Sequence, residues 1–116
     1  MKTISAKIAV AVLAMGASIA PAIAGNVLYE EQWARQQETQ IFTAPIAGIK
    51  NDFWFDYRGN ILEAQEELAS DLRRASDLED TRDAWEEYGD ELIDERRHYA
   101  KEMAERGYRL WSVTVE

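Results

Sequence analysis

The chain has 116 residues, 22 Asp and Glu against 13 Lys and Arg, a formal charge of −9, and no cysteine. Disulfides, thiol nucleophiles and Cys-ligated metals are therefore excluded. The acid excess also argues against nucleic acid and anionic bilayers as partners, because both are held by Lys and Arg.

Residues 1–24 read as a signal peptide. Lys2 and Lys7 supply the positive start, an uncharged apolar run follows over 8–19, and Pro21-Ala22-Ile23-Ala24 ends in the small-x-small pattern of a cleavage site. Cleavage is expected between Ala24 and Gly25. The alternative, an uncleaved anchor, meets an apolar run shorter than the roughly 20 residues that span a bilayer. No cysteine follows the run, so lipid anchoring is excluded. A run this short suits bacterial Sec export, which places the chain in the periplasm or makes it secreted, with no stable membrane insertion after cleavage. Removing 24 of 116 residues leaves 92, one domain's worth, and takes Lys2 and Lys7 but no acid, so the charge moves from −9 to −11. Such a charge suits a cationic partner or metal cations; it also keeps a small exported protein soluble.

Residues 25–50 read as an irregular or short-helix lead-in. Tyr29, Trp33 and Gln36 or Gln37 share one face of a short helix. Residues 39–43 have the composition of a strand. Ala44 is expected to be extended because Pro45 follows it.

Residues 51–106 hold the main helical signal. Phe53, Tyr57, Ile61, Ala64, Leu68, Leu72 and Ala75 recur at steps of three or four; Leu78, Trp85, Leu92 and Tyr99 recur every seventh residue, with Tyr88 and Met103 beside them. Those spacings line one helical face. Ser76, Asp77 and Glu79 resemble a helix start, with Ser76 and Glu79 as a capping box or Asp77 as the N-cap. Gly107 sits where a C-cap glycine belongs. The expected fold class is mainly all-α: an antiparallel helical hairpin of 51–75 and 78–106 with a tight turn. The alternative is one long coiled-coil helix, since the heptad phase hardly breaks at Leu78. Asn51 or Asp52 is expected to cap the first helix. Phe53-Trp54-Phe55 cannot all face one side of it, so either the helix begins after them or some pack on another element. Residues 107–116 alternate, with Leu110, Ser112 and Thr114 on one side and Trp111, Val113 and Val115 on the other, the pattern of a short strand. That strand needs a partner, either residues 39–43 or the sheet edge of another chain.

Catalytic patterns are lacking. Ser70, Ser76 and Ser112 lie in no Gly-x-Ser-x-Gly elbow, His98 is the single histidine, and no Gly-rich phosphate loop or EF-hand spacing occurs. The chain is expected not to be an enzyme. One constellation is sharper: Glu95-Arg96-Arg97-His98 puts a carboxylate and an imidazole on one helical face. In ferritin-like proteins such a Glu-x-x-His joins a glutamate of another helix to hold a di-iron pair. Glu91 lies one turn earlier, and Glu63, Glu66 and Glu67 lie on the first helix. A two-helix chain completes that site only by dimerising, and in this respect it resembles the encapsulated ferritins, whose iron site forms between subunits.

Two functions of different class follow. The first is a non-catalytic interaction or accessory subunit without cofactor. It would meet a protein partner, or itself, through Phe53, Trp54, Trp85, Tyr88, Leu92, Tyr99 and Trp111. The second is an iron-binding oligomer using Glu63, Glu66, Glu95 and His98. Two helices share one seam, and these aromatics exceed it, so the mature chain is expected not to act as an isolated monomer.

Overall fold

A computed structural model describes residues 27–109. The regular structure among them is helical, with no strand: α1 (Tyr29–Glu38), a single 3-10 turn (Ile46–Gly48), α2 (Asp52–Arg74) and α3 (Leu78–Glu105). The strand read into residues 39–43 is not formed. Thr39 and Gln40 instead continue past α1 as a turn, their N–H groups donating to the carbonyls of Gln36 and Gln37. Trp111 and the rest of the expected tail strand lie outside the described residues, as does the expected signal peptide.

Local chemistry sets the helix ends. Asn51 caps α2, its Oδ1 accepting from the Trp54 N–H at 3.1 Å. The three aromatics therefore lie in the first turn of α2 rather than ahead of it. Trp54 is buried, Phe53 is half-buried, and Phe55 is 53% exposed. Between α2 and α3 the backbone leaves helical geometry, Ala75 at φ −64°, ψ 131° and Asp77 at φ −150°, ψ 179°. A single continuous helix is thus ruled out. Asp77 is the N-cap of α3, accepting from the Asp80 N–H at 2.8 Å. Asp80 reaches back to the Ser76 N–H at 3.1 Å and hydroxyl at 3.0 Å. The reciprocal box expected of Ser76 and Glu79 is not formed: Asp77 is the cap, and the third helical residue, Asp80, reaches back past it to Ser76. At the far end Gly107, at φ +93°, lets Tyr108 N–H reach the Met103 carbonyl and its own N–H reach that of Ala104, a Schellman closure.

Pairs across the core give the directions. Asn51 meets Met103, Tyr57 stacks on Tyr99 at 4.9 Å, and Asn60 meets Glu95, so α2 and α3 run oppositely. Along α1 the numbers rise together: Glu30 with Arg82, Arg35 over Trp85, Glu38 with Tyr88. α1 therefore lies parallel to α3. Residues 39–51 continue in the same direction as a strap. The Phe42 ring meets Tyr57 and Tyr99 edge-on at 5.6 and 5.5 Å, and buried Ile46 donates its N–H to the Tyr99 hydroxyl at 2.9 Å. The lead-in is thus a third layer laid along the whole of α3.

The core joins all three layers: Ala34 and Ile46 from the lead-in, Trp54, Tyr57, Ile61 and Ala64 from α2, and Trp85, Tyr88, Leu92, Tyr99 and Met103 from α3. Each large apolar side chain among them stabilises the fold by roughly 1.5–3 kcal/mol relative to exposure. One close approach decides where α1 sits. The Trp33 ring lies on Gly89, where a Cβ would stand 2.3 Å from its Cζ3.

Candidate interaction face

The seam between α2 and α3 has two sides. Arg82, Trp85 and Gly89 carry α1 on one of them. Glu91, two residues on from Gly89, points about 160° away around the helix. On that side Glu87, Glu91 and Glu95 of α3 stand near Glu63 and Glu67 of α2. Partial burial, and then the negative fields of Glu67, Glu87, Glu95 and Glu63, push the Glu91 carboxyl above its ordinary value.

Towards the interhelical turn the same side becomes a groove of about 260 Å³ between Asp71 and Arg74 on α2 and Asp80, Asp83, Ala84 and Glu87 on α3. Towards the other end it becomes a cleft of about 280 Å³ lined by Phe53, Asp56, Tyr57, Asn60, Glu95, His98 and Tyr99. Asn60 Nδ2 donates to Glu95 Oε1 across the seam at 2.9 Å. Within the groove Arg74 pairs with Asp71 at 2.6 Å; on other surfaces acids also meet bases: Arg35 with Glu38 at 3.1 Å, Arg82 with Glu30 at 3.0 Å, Lys101 with Glu105 at 2.9 Å and Arg106 with Glu102 at 3.1 Å. The Glu30 and Glu105 carboxyls are held below their ordinary values by hydrogen bonds from Arg82 and Lys101.

Of the residues expected to meet a partner, Trp54, Trp85, Tyr88, Leu92 and Tyr99 are buried inside the single chain. The two-helix picture left them for a second molecule; α1 and the strap cover them instead. Phe53 is half-buried, with the Arg106 guanidinium 4.1 Å from its ring centre. Of the candidate iron ligands, Glu63 and Glu66 are exposed on α2. Glu95 is tied to Asn60, and His98 is exposed with its Nδ1 4.0 Å from Glu102. Glu95 and His98 share the cleft, but no group of three or more His, Asp or Glu among the described residues is arranged to hold a metal ion.

Sequence reasoning passed over several residues that the fold makes important. Glu38 on α1 accepts from the buried Tyr88 hydroxyl at 2.5 Å. Burial, and then that carboxylate, push the Tyr88 phenol well above its ordinary range. Ala47 holds the strap's bend at φ 57°, a left-handed value that costs an L-residue about 1–2 kcal/mol. Gly89 reads in the sequence as a mere blemish in a helix, and a glycine placed one helical face away from acids is the signal that something packs closely there. No helix among the described residues is long and apolar enough to cross a membrane. The chain matches no protein-family model, no curated protein and no solved structure.

Proposed function

We propose that the chain is a small exported, non-catalytic interaction subunit: an α2–α3 hairpin stiffened by its N-terminal strap, presenting an acidic face to a cationic protein partner. The observation that carries this reading is the crowding of Glu91 by four other carboxylates from both helices. A purely structural seam gains from opposite charges across it, and like charges there lower stability. A face that keeps them is matched by positive charge from outside. Export rests on the charged start, apolar run and Ala-x-Ala end of residues 1–24; the intact mass of the exported protein should begin at Gly25.

The test is capture from a periplasmic extract with the mature chain as bait, beside a variant carrying Glu63→Gln, Glu67→Gln, Glu87→Gln and Glu91→Gln. A basic protein retained by the first and lost from the second supports the reading. Equal retention by both, or retention of acidic proteins, refutes it. Self-association is the competing arrangement, and sedimentation equilibrium at micromolar concentration separates the two. The iron-binding reading has in its favour that Glu95 and His98 line one cleft. Iron titration followed by absorbance in the oxo-bridged region decides it: no binding above nonspecific levels ends that reading.

A further inference from the structure

We propose that the strap exchanges between two copies of the chain: the turn at Ala47 and Gly48 opens, and residues 29–46 of each copy pack along α3 of the other. The inference goes beyond the reading above and does not depend on it, since it concerns the side of the seam that carries α1.

The hinge argues first. Pro45 at φ −68°, ψ 147° and Ile49 at φ −89°, ψ 116° are extended. Between them the chain reverses, from the strap parallel to α3 into α2 running the other way. The reversal uses two successive left-handed residues, Ala47 at φ 57° and Gly48 at φ 72°. Glycine adopts that region freely, but an alanine there is strained. Two backbone bonds hold the turn, Gly48 N–H to the Pro45 carbonyl at 3.0 Å and Ile49 N–H to the Ile46 carbonyl at 3.1 Å. Ala47 and Gly48 are exposed, so the turn can open without uncovering core. Opening releases the strain and leaves the strap as an arm ahead of α2. Short hinges under strain are where chains exchange an element with a second copy.

The occupant argues next. A detached strap is unstable by itself, because α1 has ten residues, too few to stay helical alone in water. The track it leaves is best filled by an identical strap, which remakes every contact. Trp33 lies on Gly89, Glu30 meets Arg82 at 3.0 Å, Glu38 accepts from Tyr88 at 2.5 Å, and Ile46 N–H donates to the Tyr99 hydroxyl at 2.9 Å. The closed and exchanged forms therefore differ chiefly in hinge strain and in the freedom lost when two chains join. Concentration decides between them. Five steps of chain join Ile46 to Asn51, about 17 Å when fully extended. Ile46 is held at Tyr99 and Asn51 at Met103, so the two copies meet at the Met103 end of α3, related by a two-fold axis.

The chain has no cysteine, so Glu30→Cys with Arg82→Cys gives one linkable pair. It replaces a surface ion pair, a kind of contact that adds little stability. The mature chain with both changes is refolded at micromolar and at hundreds of micromolar concentration, in high salt to screen the repulsion between acidic copies. Each sample is then diluted, joined with a short bismaleimide and run on a denaturing gel. Refolding at low concentration should give links within a chain. Refolding at high concentration should give links between chains, because position 30 of one copy then lies on position 82 of the other. Ala47→Gly relieves both hinges of a dimer at once and should weaken it about tenfold or more. Ala47→Val puts a β-branched residue at positive φ and should strengthen the dimer by a similar factor. The two changes act in opposite directions at an exposed position, so the test stands if one variant fails to fold. A dimer whose links stay within chains overturns the proposal, since ordinary self-association leaves each strap on its own hairpin. So does a chain that stays monomeric at high concentration even with Ala47→Val, and so does a dimer that neither Ala47 variant alters.

Discussion

Gly89→Ala asks most directly whether α1 docks as described. In an exposed helix the change stabilises by about 1 kcal/mol, because alanine loses less backbone freedom on folding. At position 89 the new methyl would stand 2.3, 2.7 and 2.8 Å from Cζ3, Cε3 and Cη2 of Trp33. Apolar carbons rest at about 3.5–4.0 Å, so the indole must move by more than 1 Å, and it is a rigid, half-buried ring. Overpacking of this kind costs about 1–3 kcal/mol, which leaves a net loss of about 0–2 kcal/mol if α1 stays docked. α1 has only ten residues, too few to remain helical alone in water, so it unfolds if it detaches. Gly59→Ala is the matched control. It makes the same chemical change in α2, where a Cβ meets nothing within 4 Å. That variant should gain about 1 kcal/mol. Urea unfolding followed by circular dichroism gives the two stabilities. Amide hydrogen exchange shows whether residues 30–38 lose protection only in the Gly89 variant. Equal stabilisation by both changes, with exchange in α1 unaltered, would refute the packing of Trp33 on Gly89 and with it the third layer.

Three further outcomes are expected. Tyr99→Phe removes the acceptor of the buried Ile46 N–H and should cost about 1–3 kcal/mol in urea unfolding; Tyr57→Phe should cost less, since Phe42 is only half-buried, and equal small losses would mean the hydroxyls do not hold the strap. Ala47→Gly should stabilise by about 0.5–1 kcal/mol: it relieves about 1–2 kcal/mol of left-handed strain, partly offset by the freer unfolded chain. Loss of stability there would show that the bend is not as described. Glu91→Gln should stabilise at neutral pH by about 0.4–1 kcal/mol through removal of the like-charge pairs with Glu87 and Glu95. The sign with pH follows from its raised carboxyl: the stability gained by protonating Glu91 is complete below its unfolded value of 4.5 and is lost as pH rises through the higher folded value. The benefit of the substitution should therefore fade in acid. Glu30 and Glu105 act oppositely, their contributions present above 4.5 and lost as pH falls through their lowered folded values. A gain from Glu91→Gln that is the same at pH 4 and pH 7 would show that the row does not crowd it.

The amino-acid sequence by itself determined the helical class, the length of the two long helices to within a residue or so, and their ends. These depend on interactions within about four residues: an apolar period near 3.6, an Asn or Asp whose side chain caps its own helix, and a glycine free to turn left-handed. It also carried the acid excess, which no folding removes. The candidate cleft was legible in part: Glu95 and His98 stood out by spacing, while Asp56 and Asn60 gave no signal, since nothing local says that they meet Glu95 across a seam. Tertiary structure alone decided what covers the aromatics. Trp85, Tyr88, Leu92 and Tyr99 mark an apolar face in any reading, but the face is equally well closed by a second molecule or by the chain's own lead-in. The choice rests on contacts between residues some fifty positions apart, such as Glu30 with Arg82 and Ile46 with Tyr99, and on a glycine small enough to let Trp33 settle against α3. Such contacts form only if their combined gain exceeds the loss of chain freedom in closing the loop, a balance set by three-dimensional fit and not by any local pattern.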